Sequence, residues 1–287
     1  MLTVFAHSGP PPRPAELWTA WNLEPFTLCG LGVAVVFYVG ARARSRLADR
    51  PRLRWLVGAV VAIAVALVSP LDAMSDALAS AHMVQHLLLV LVAAPLLARS
   101  SPGLLAARLD PDLGRAQLRW RRRLGLSRRR TALLRHPAAA WLAHTAVLWF
   151  WHAGVPYRAA VEHEWIHVIE HLTFFGSAYL LWRVVVGSRA GGRVDNGLGV
   201  LLLFGAAMQS VLLSALLTFS GEPWYEVYAG TTDAWGLSQL ADQQLAGVIM
   251  WVPASVVYLV IALRLAAAWV RSAEPGPGPA ASSQTPR

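Results

Sequence analysis

Seven long apolar runs recur along the chain, and they constrain its fold more than any other feature of the sequence. Their approximate cores are residues 23–41, 53–70, 77–98, 137–154, 160–186, 198–219 and 244–268. A helix needs about 20 mainly apolar residues to cross the hydrocarbon core of a bilayer. The chain is also 56% hydrophobic and only 14% charged, unlike a soluble domain of this size. The sequence therefore predicts an all-α polytopic membrane protein with seven transmembrane helices.

The basic residues indicate how these helices are oriented. All 25 are arginines, and 23 of them lie on one side of the seven runs, whereas only Arg13 and Arg158 lie on the other. Because cytoplasmic loops carry an excess of basic residues, we expect an extracytoplasmic N-terminus and a cytoplasmic C-terminus. Arginine clusters between apolar runs are typical of topology signals, so the net charge of +9 predicts contact with membrane lipid and no nucleic-acid partner.

The two ends of the chain differ in composition from the membrane domain. We place an extracytoplasmic segment at residues 1–22, the seven-helix domain at 23–268, and a cytoplasmic tail, predicted to be disordered, at 269–287. Residues 1–14 contain no basic stretch before an apolar core, so we expect no cleavable signal peptide. The single cysteine, Cys29, can form neither an internal disulfide nor a cysteine-based metal site.

The segment 163–171, HEWIHVIEH, carries the strongest functional signal. On a helix with about 100° between residues, His163, His167, Glu170 and His171 fall within an arc of about 100°. Ionisable groups within a membrane face the interior of the bundle, and imidazole is the commonest metal ligand. The segment therefore predicts a metal site that faces the bundle. We expect Glu170 either to bind the metal or to orient a ligating imidazole.

A second pair of histidines begins the third run. His82 and His86 are one helical turn apart, a spacing that projects both side chains from one stripe of a helix. From the helical rise, His86 and His171 lie roughly 13 and 18 Å below the outer surface, so the two pairs can meet. His152 ends the fourth run on the same side and is a further candidate ligand. His144, two turns deeper, is more typical of a hydrogen bond between helices.

Other interpretations of these residues are compatible with the sequence. Residues 163–167 match His-Glu-x-x-His, the motif of zinc metalloproteases. Histidines on facing helices also bind haem. A buried histidine cluster can equally serve structure alone, through hydrogen bonds between helices. Thioethers favour Cu(I), but a single methionine such as Met83 or Met250 beside a histidine cluster is more often a packing residue.

Five motifs together resemble one protein family. They are SPLD at 69–72, AHMVQHLLL at 81–89, WFWH at 149–152, HVIEH at 167–171 and DQQLAGVIMW at 242–251. In this order they are similar to the multi-spanning CtaG family of cytochrome c oxidase assembly factors, over about residues 18–268. The resemblance implies a bacterial plasma-membrane protein that is not an enzyme and that helps to build a haem-copper oxidase. It further implies a copper-binding metallochaperone whose partner is oxidase subunit I or another copper chaperone.

The resemblance and the spacing together define the candidate copper ligands. They are His82, His86, His152, His163, His167, Glu170 and His171. All of these except His163 lie within motifs of the family. We expect copper binding to weaken below about pH 6.5, because neutral imidazoles are the ligands. The alternative function is a haem-binding membrane electron carrier of cytochrome b type.

Overall fold

The fold is built from helices, as the sequence predicts. In this computed structural model the described residues are 11–44, 50–109, 136–187 and 194–273, together with positions 112, 115, 119 and 123, and they contain no β-strand. The α-helices are α1 (Pro25–Arg44), α2 (Arg50–Leu67), α3 (Pro70–Ser75), α4 (Ala79–Leu87), α5 (Ala94–Ser100), α6 (Pro102–Leu109), α7 (Pro137–His152), α8 (Gly154–Glu162), α9 (Glu164–Val186), α10 (Asn196–Thr218) and α11 (Gln239–Ala273). A π-helical segment, Leu88–Ala93, joins α4 to α5. Short 3-10 turns occupy Pro14–Thr19, Glu226–Tyr228 and Thr232–Trp235.

Four helical segments are long and apolar enough to cross a membrane. They are Pro25–Arg44, Ala79–Ala106, Asn196–Thr218 and Gln239–Ser272. These segments match the first, third, sixth and seventh predicted spans, and they confirm that this is a membrane protein. The other predicted spans fall on α2, which begins with three arginines among its first five residues, on α7, which has only 16 residues, and on α9. The count of seven spans and the orientation of the termini stay predictions.

The predicted tail begins too early. Helix α11 continues to Ala273, so residues 269–273 are helical rather than disordered. Residues 274–287, most of the arginine-rich loop 115–135 and residues 1–10 lie outside the described residues. The prediction of a disordered tail therefore stays a prediction for residues 274–287.

The predicted fifth span is interrupted at His163. Helix α8 ends at Glu162, His163 has an extended backbone with φ −133° and ψ 113°, and α9 begins at Glu164. The carbonyl oxygen of His163 accepts hydrogen bonds from the N–H groups of Ile166 and His167, both at 3.0 Å, and these bonds start α9. The prediction of one continuous helix over 160–186 is therefore wrong at this residue. No proline or glycine marks the break in the sequence.

The core lies around α9, which packs against the π-helical segment. Trp182 is fully buried and donates a hydrogen bond from its indole Nε1 to the carbonyl oxygen of Val90, at 2.8 Å. Its ring also stacks on Tyr258 of α11, with centroids 5.7 Å apart. A π-helical turn disturbs the regular ladder of backbone hydrogen bonds, and the indole satisfies one carbonyl at that disturbance.

The N-terminus of α4 is held by a side chain from α11. Asp242 accepts hydrogen bonds from the backbone N–H groups of Ala79 and Ser80, at 2.6 and 3.2 Å, and from the Ser80 hydroxyl at 2.5 Å. Leu78, which precedes α4, has no side chain that can cap it. Because the first N–H groups of a helix have no partner within the helix, Asp242 supplies the cap from a different helix. This contact fixes the start of the helix that carries His82 and His86.

Candidate metal centre

Four histidines from α4 and α9 form a compact, nearly rectangular group. Along α4 the ring centroids of His82 and His86 are 4.3 Å apart, and along α9 those of His167 and His171 are 4.1 Å apart. Between the helices, His82 lies 5.3 Å from His167 and His86 lies 5.4 Å from His171. The diagonal from His82 to His171 is 6.4 Å, and all four side chains are buried. The structure thus brings together the two pairs that the sequence predicted to meet.

A fully buried carboxylate lies beside these rings. Glu170 is 0% exposed, and its Oε2 lies 3.4 Å from His82 Nε2 while its Oε1 lies 3.7 Å from His86 Nε2. Neither carboxylate oxygen makes a hydrogen bond of good geometry with any residue in the described part of the chain. The Nε2 atoms of His82 and His86 likewise make no hydrogen bond of good geometry with the described residues. A buried carboxylate of this kind is costly unless a cation or a set of hydrogen-bond donors compensates it.

The side chains divide into two sets that could each hold a metal ion. One set is His82, His167 and Glu170, and the other is His86, His171 and Glu170. Within each set, one potential ligand atom from each side chain lies within 4.8 Å of the others. Metal–ligand bonds to imidazole nitrogen and carboxylate oxygen are about 2.0–2.2 Å long, so small side-chain movements would close either set around an ion.

His152 lies at the border of this group. It ends α7 and is buried, and its Nδ1 donates a hydrogen bond to the carbonyl oxygen of Leu148 at 2.7 Å. In a neutral imidazole this bond leaves Nε2 with its lone pair, and Nε2 lies 3.4 Å from Met83 Sδ. The ring also packs against Phe174, with centroids 6.0 Å apart. His152 is therefore oriented towards the interior but is not a member of either ligand set.

His163 does not join the cluster. It lies at the break between α8 and α9 and is exposed. The expectation that it shares a helical face with His167 and His171 is wrong, because it precedes the helix that carries them. The same break separates the two histidines of the His-Glu-x-x-His match, which needs both on one helix to hold zinc. The metalloprotease interpretation therefore loses its geometric basis.

An opening with acidic residues leads to one side of the cluster. It lies between the start of α1, the end of α2 and the start of α9, and its polar lining comprises Asn22, Glu24, Thr27, Asp72, Glu164, His167 and His171. Asp72 is buried and accepts hydrogen bonds from the side-chain amides of Asn22, at 2.5 Å, and of Gln85. Gln85 therefore points away from the histidines. No local pattern in the sequence indicates that these carboxylates converge.

A second cavity lies on the opposite side, deeper in the bundle. Its lining includes two thioethers and three imidazoles, from Met83, Met250, His86, His144 and His152, within otherwise mainly apolar walls. His144 Nδ1 lies 3.4 Å from Ser177 Oγ of α9, the contact between helices that the sequence predicted for it. His86 belongs both to this cavity and to the histidine cluster. The cluster thus lies between an acidic opening and a cavity lined by two thioethers.

Buried tyrosines close one end of the group. The Tyr228 hydroxyl donates to the carbonyl oxygen of Ser75 at 3.0 Å, and the Tyr225 hydroxyl donates to that of His152 at 3.1 Å. The Tyr157 ring stacks on Tyr225 at 3.7 Å and lies 5.2 Å from His82. Burial raises the pKa of Tyr225 and of Tyr228. Both phenols therefore stay protonated and keep their hydrogen bonds at any physiological pH.

Comparison with known proteins adds one family match. The family described as cytochrome c oxidase caa3 assembly factor (Caa3_CtaG) matches residues 34–272. Two uncharacterized proteins, from Mycobacterium bovis and Mycobacterium tuberculosis, are each 27% identical to the chain, over 91% of its length and 41% of theirs. The chain therefore spans about two fifths of the length of the curated relatives that it matches. No solved structure matches.

Proposed function

We propose a function for this chain, which belongs to the Caa3_CtaG family of cytochrome c oxidase caa3 assembly factors. The protein is a membrane metallochaperone and not an enzyme. It holds copper among His82, His86, His167 and His171, with Glu170, in the bacterial plasma membrane. The copper is its cargo, delivered to subunit I of a haem-copper oxidase or to another copper chaperone.

The observation that carries this proposal is the environment of Glu170. Its carboxylate is fully buried within a predicted membrane span, and the nearest nitrogens are imidazole Nε2 atoms at 3.4 and 3.7 Å. Within a membrane such a group is expensive and marks a functional site. A bound cation would neutralise the carboxylate and give the neighbouring imidazoles a partner. A hydrogen-bonded structural network would instead bring these atoms closer together, because hydrogen bonds to a carboxylate are about 2.7–2.9 Å long, shorter than the 3.4 and 3.7 Å contacts of Glu170.

Two further features support copper among the metals that imidazole binds. The adjoining cavity offers Met83 and Met250, and thioethers select Cu(I) over harder ions. The family assembles an oxidase of the haem-copper class, which needs copper. His163 has no place in this ligand set because it is exposed and lies before α9. His152 borders the set through Met83 and is suited to receive an ion that leaves it.

The side of the membrane from which copper enters follows from the arginine distribution. If the 23 arginines are cytoplasmic, α4 and α9 both begin at the outer surface, and the acidic opening faces outwards. Its carboxylates attract cations towards His167 and His171. Copper then enters from the extracytoplasmic side.

Binding of copper to the purified protein tests the proposal directly. Cu(I) is titrated against a competing chelator in the wild type, in His82→Ala/His86→Ala and in the matched control His163→Ala. We expect tight binding in the wild type and in the control and its loss in the double variant. Binding in the wild type no tighter than in the double variant, or an absorption band typical of haem in the purified protein, would overturn it.

Oxidase copper content tests the delivery step. In cells that produce only the double variant, we expect oxidase subunits to accumulate without their full copper. A strain lacking the protein that contains oxidase with normal copper but misassembled subunits would assign the protein to scaffolding instead.

A further inference from the structure

The four histidines divide between two sets of potential ligands, each of which takes one ring from α4 and one from α9. His82 faces His167 at 5.3 Å and His86 faces His171 at 5.4 Å, whereas the His82–His171 diagonal is 6.4 Å. Each pair forms a set of three potential ligands with Glu170, and Glu170 is the only member that the two sets share. The arrangement repeats along the helices because each helix carries its histidines at a spacing of one turn.

We propose that the centre holds two copper ions in adjacent positions bridged by the Glu170 carboxylate. The inference rests on the proposed function and specifies how the same site is occupied. One position is formed by His82, His167 and Glu170, and the other by His86, His171 and Glu170.

The carboxylate is placed to bridge. Its two oxygens point to different pairs, with Oε2 nearest to His82 at 3.4 Å and Oε1 nearest to His86 at 3.7 Å. The two positions are offset along the helices by the distance between successive rings, which is 4.3 Å on α4 and 4.1 Å on α9. Paired metal ions in proteins lie about 3.5–4 Å apart, so this offset suits a bridged pair.

Charge decides which oxidation state fits. The ligands are neutral imidazoles and a single carboxylate, so two monovalent ions leave a net charge of about +1 and two divalent ions leave about +3 in a buried site. Cu(I) is therefore the ion that both positions accept together. The first ion neutralises the charge of Glu170, and the second ion is repelled by the first. Adjacent sites at which ions repel one another bind tightly enough to load and weakly enough to release, which suits a carrier.

Stoichiometry of the full-length protein in detergent tests the proposal. Cu(I) is buffered by a competing chelator, and bound copper is measured per protein together with the copper–copper scattering in X-ray absorption. We expect two equivalents in the wild type and a short copper–copper distance. The second should bind roughly 100- to 1000-fold more weakly, from the repulsion of unit charges about 4 Å apart. His82→Ala/His167→Ala and His86→Ala/His171→Ala should each retain one equivalent and lose the copper–copper signal.

The possible outcomes distinguish failure of the proposed function from failure of the bridged pair of copper ions. No tight copper in the wild type would overturn the proposed function itself. One equivalent in the wild type, without copper–copper scattering, would overturn the bridged pair and leave the proposed function intact. Both wild-type measurements remain decisive if the double variants fail to accumulate as folded protein. Loss of all copper in both folded double variants would also overturn the two-position arrangement.

Discussion

At the scale of single residues, the environment of Glu170 is the feature from which the proposed function is argued. It is a carboxylate with no exposed surface, surrounded by imidazoles. Changing it to glutamine keeps the shape of the side chain and removes the charge. The substitution therefore separates the electrostatic role of the residue from its packing.

We expect Glu170→Gln to fold and to bind copper roughly 10- to 100-fold more weakly, the usual cost of losing a residue that ligates or supports a metal site. Chelator competition measures the affinity, and thermal unfolding in detergent measures the fold. Glu222→Gln is the matched control, because it makes the same change at an exposed position outside the acidic opening. Wild-type affinity in Glu170→Gln, together with histidine variants that fail to accumulate, would show that the cluster is structural.

The spacing of residues predicted which side chains come together but not all their surroundings. His82 with His86, and His167 with Glu170 and His171, were identified because a helical turn places them on one face. His163 matched the same pattern and failed, because the helix breaks just after it without a proline or glycine to mark the position. The pairing of Asn22 with Asp72 joins residues 50 positions apart, and no local pattern encodes such a contact.

At the scale of helices, α4 depends on Asp242 of α11 for its N-terminal cap. We expect Asp242→Ala to destabilise the protein by about 1–2 kcal/mol, since a lost helix cap typically costs this much. Copper affinity should fall as well, because His82 lies on the first turn of α4. Unfolding curves and chelator competition measure the two effects, and Asp233→Ala, at an exposed position, is the control.

Asp242→Asn tests whether the cap itself matters, because the asparagine oxygen can still accept a hydrogen bond. It should recover part of the stability that alanine loses. Equal loss in both variants would mean that the carboxylate acts through its charge rather than as a cap.

Helices were predicted well where long apolar runs define them and less well where packing between helices determines their boundaries. The runs at 23–41, 198–219 and 244–268 match α1, α10 and α11, and no end differs by more than five residues. The π-helical segment and the division of the fifth run into α8 and α9 were not predicted. The π-helical segment is bonded by the Trp182 indole of α9 through the carbonyl oxygen of Val90, a contact that local residue preference does not encode.

At the scale of the whole molecule, the orientation in the membrane is the main prediction still to be measured. In a Cys29→Ala background, we expect Asp233→Cys to react with an impermeant thiol reagent in intact cells and Ser272→Cys to react only after lysis. Both positions are exposed, and the arginine asymmetry places them on opposite sides. The reverse pattern would put the histidines on the cytoplasmic side.

The sequence alone did not predict how most of the helices pack into a bundle. Hydropathy defines which segments enter a membrane, but it does not say which faces meet, because lipid and protein interior are similarly apolar. The meeting of α4 with α9 was inferred from the depth of their histidines, and the structure confirms it. The acidic opening and the thioether-lined cavity involve several helices at once, and only the folded arrangement reveals them.

The π-helical segment Leu88–Ala93 has a consequence for insertions and deletions. Such a segment accommodates one residue more than a regular α-helix, so removing a single residue would convert it to α-helix. In a regular α-helix one extra residue would rotate the part with His82 and His86 by about 100° relative to the part that begins at Ala94, and the wider π-helical turn absorbs that residue instead. We therefore expect a variant that lacks Val92 to keep its copper binding, as should Val92→Ala, which trims a side chain that is 38% exposed. Insertion of one alanine after Val92 should weaken copper binding, because a second extra residue would rotate the histidines. Wild-type copper affinity in the insertion variant would contradict this. The π-helical turn thus keeps the two parts of this helix in register around the candidate metal site even though none of its side chains belongs to either ligand set.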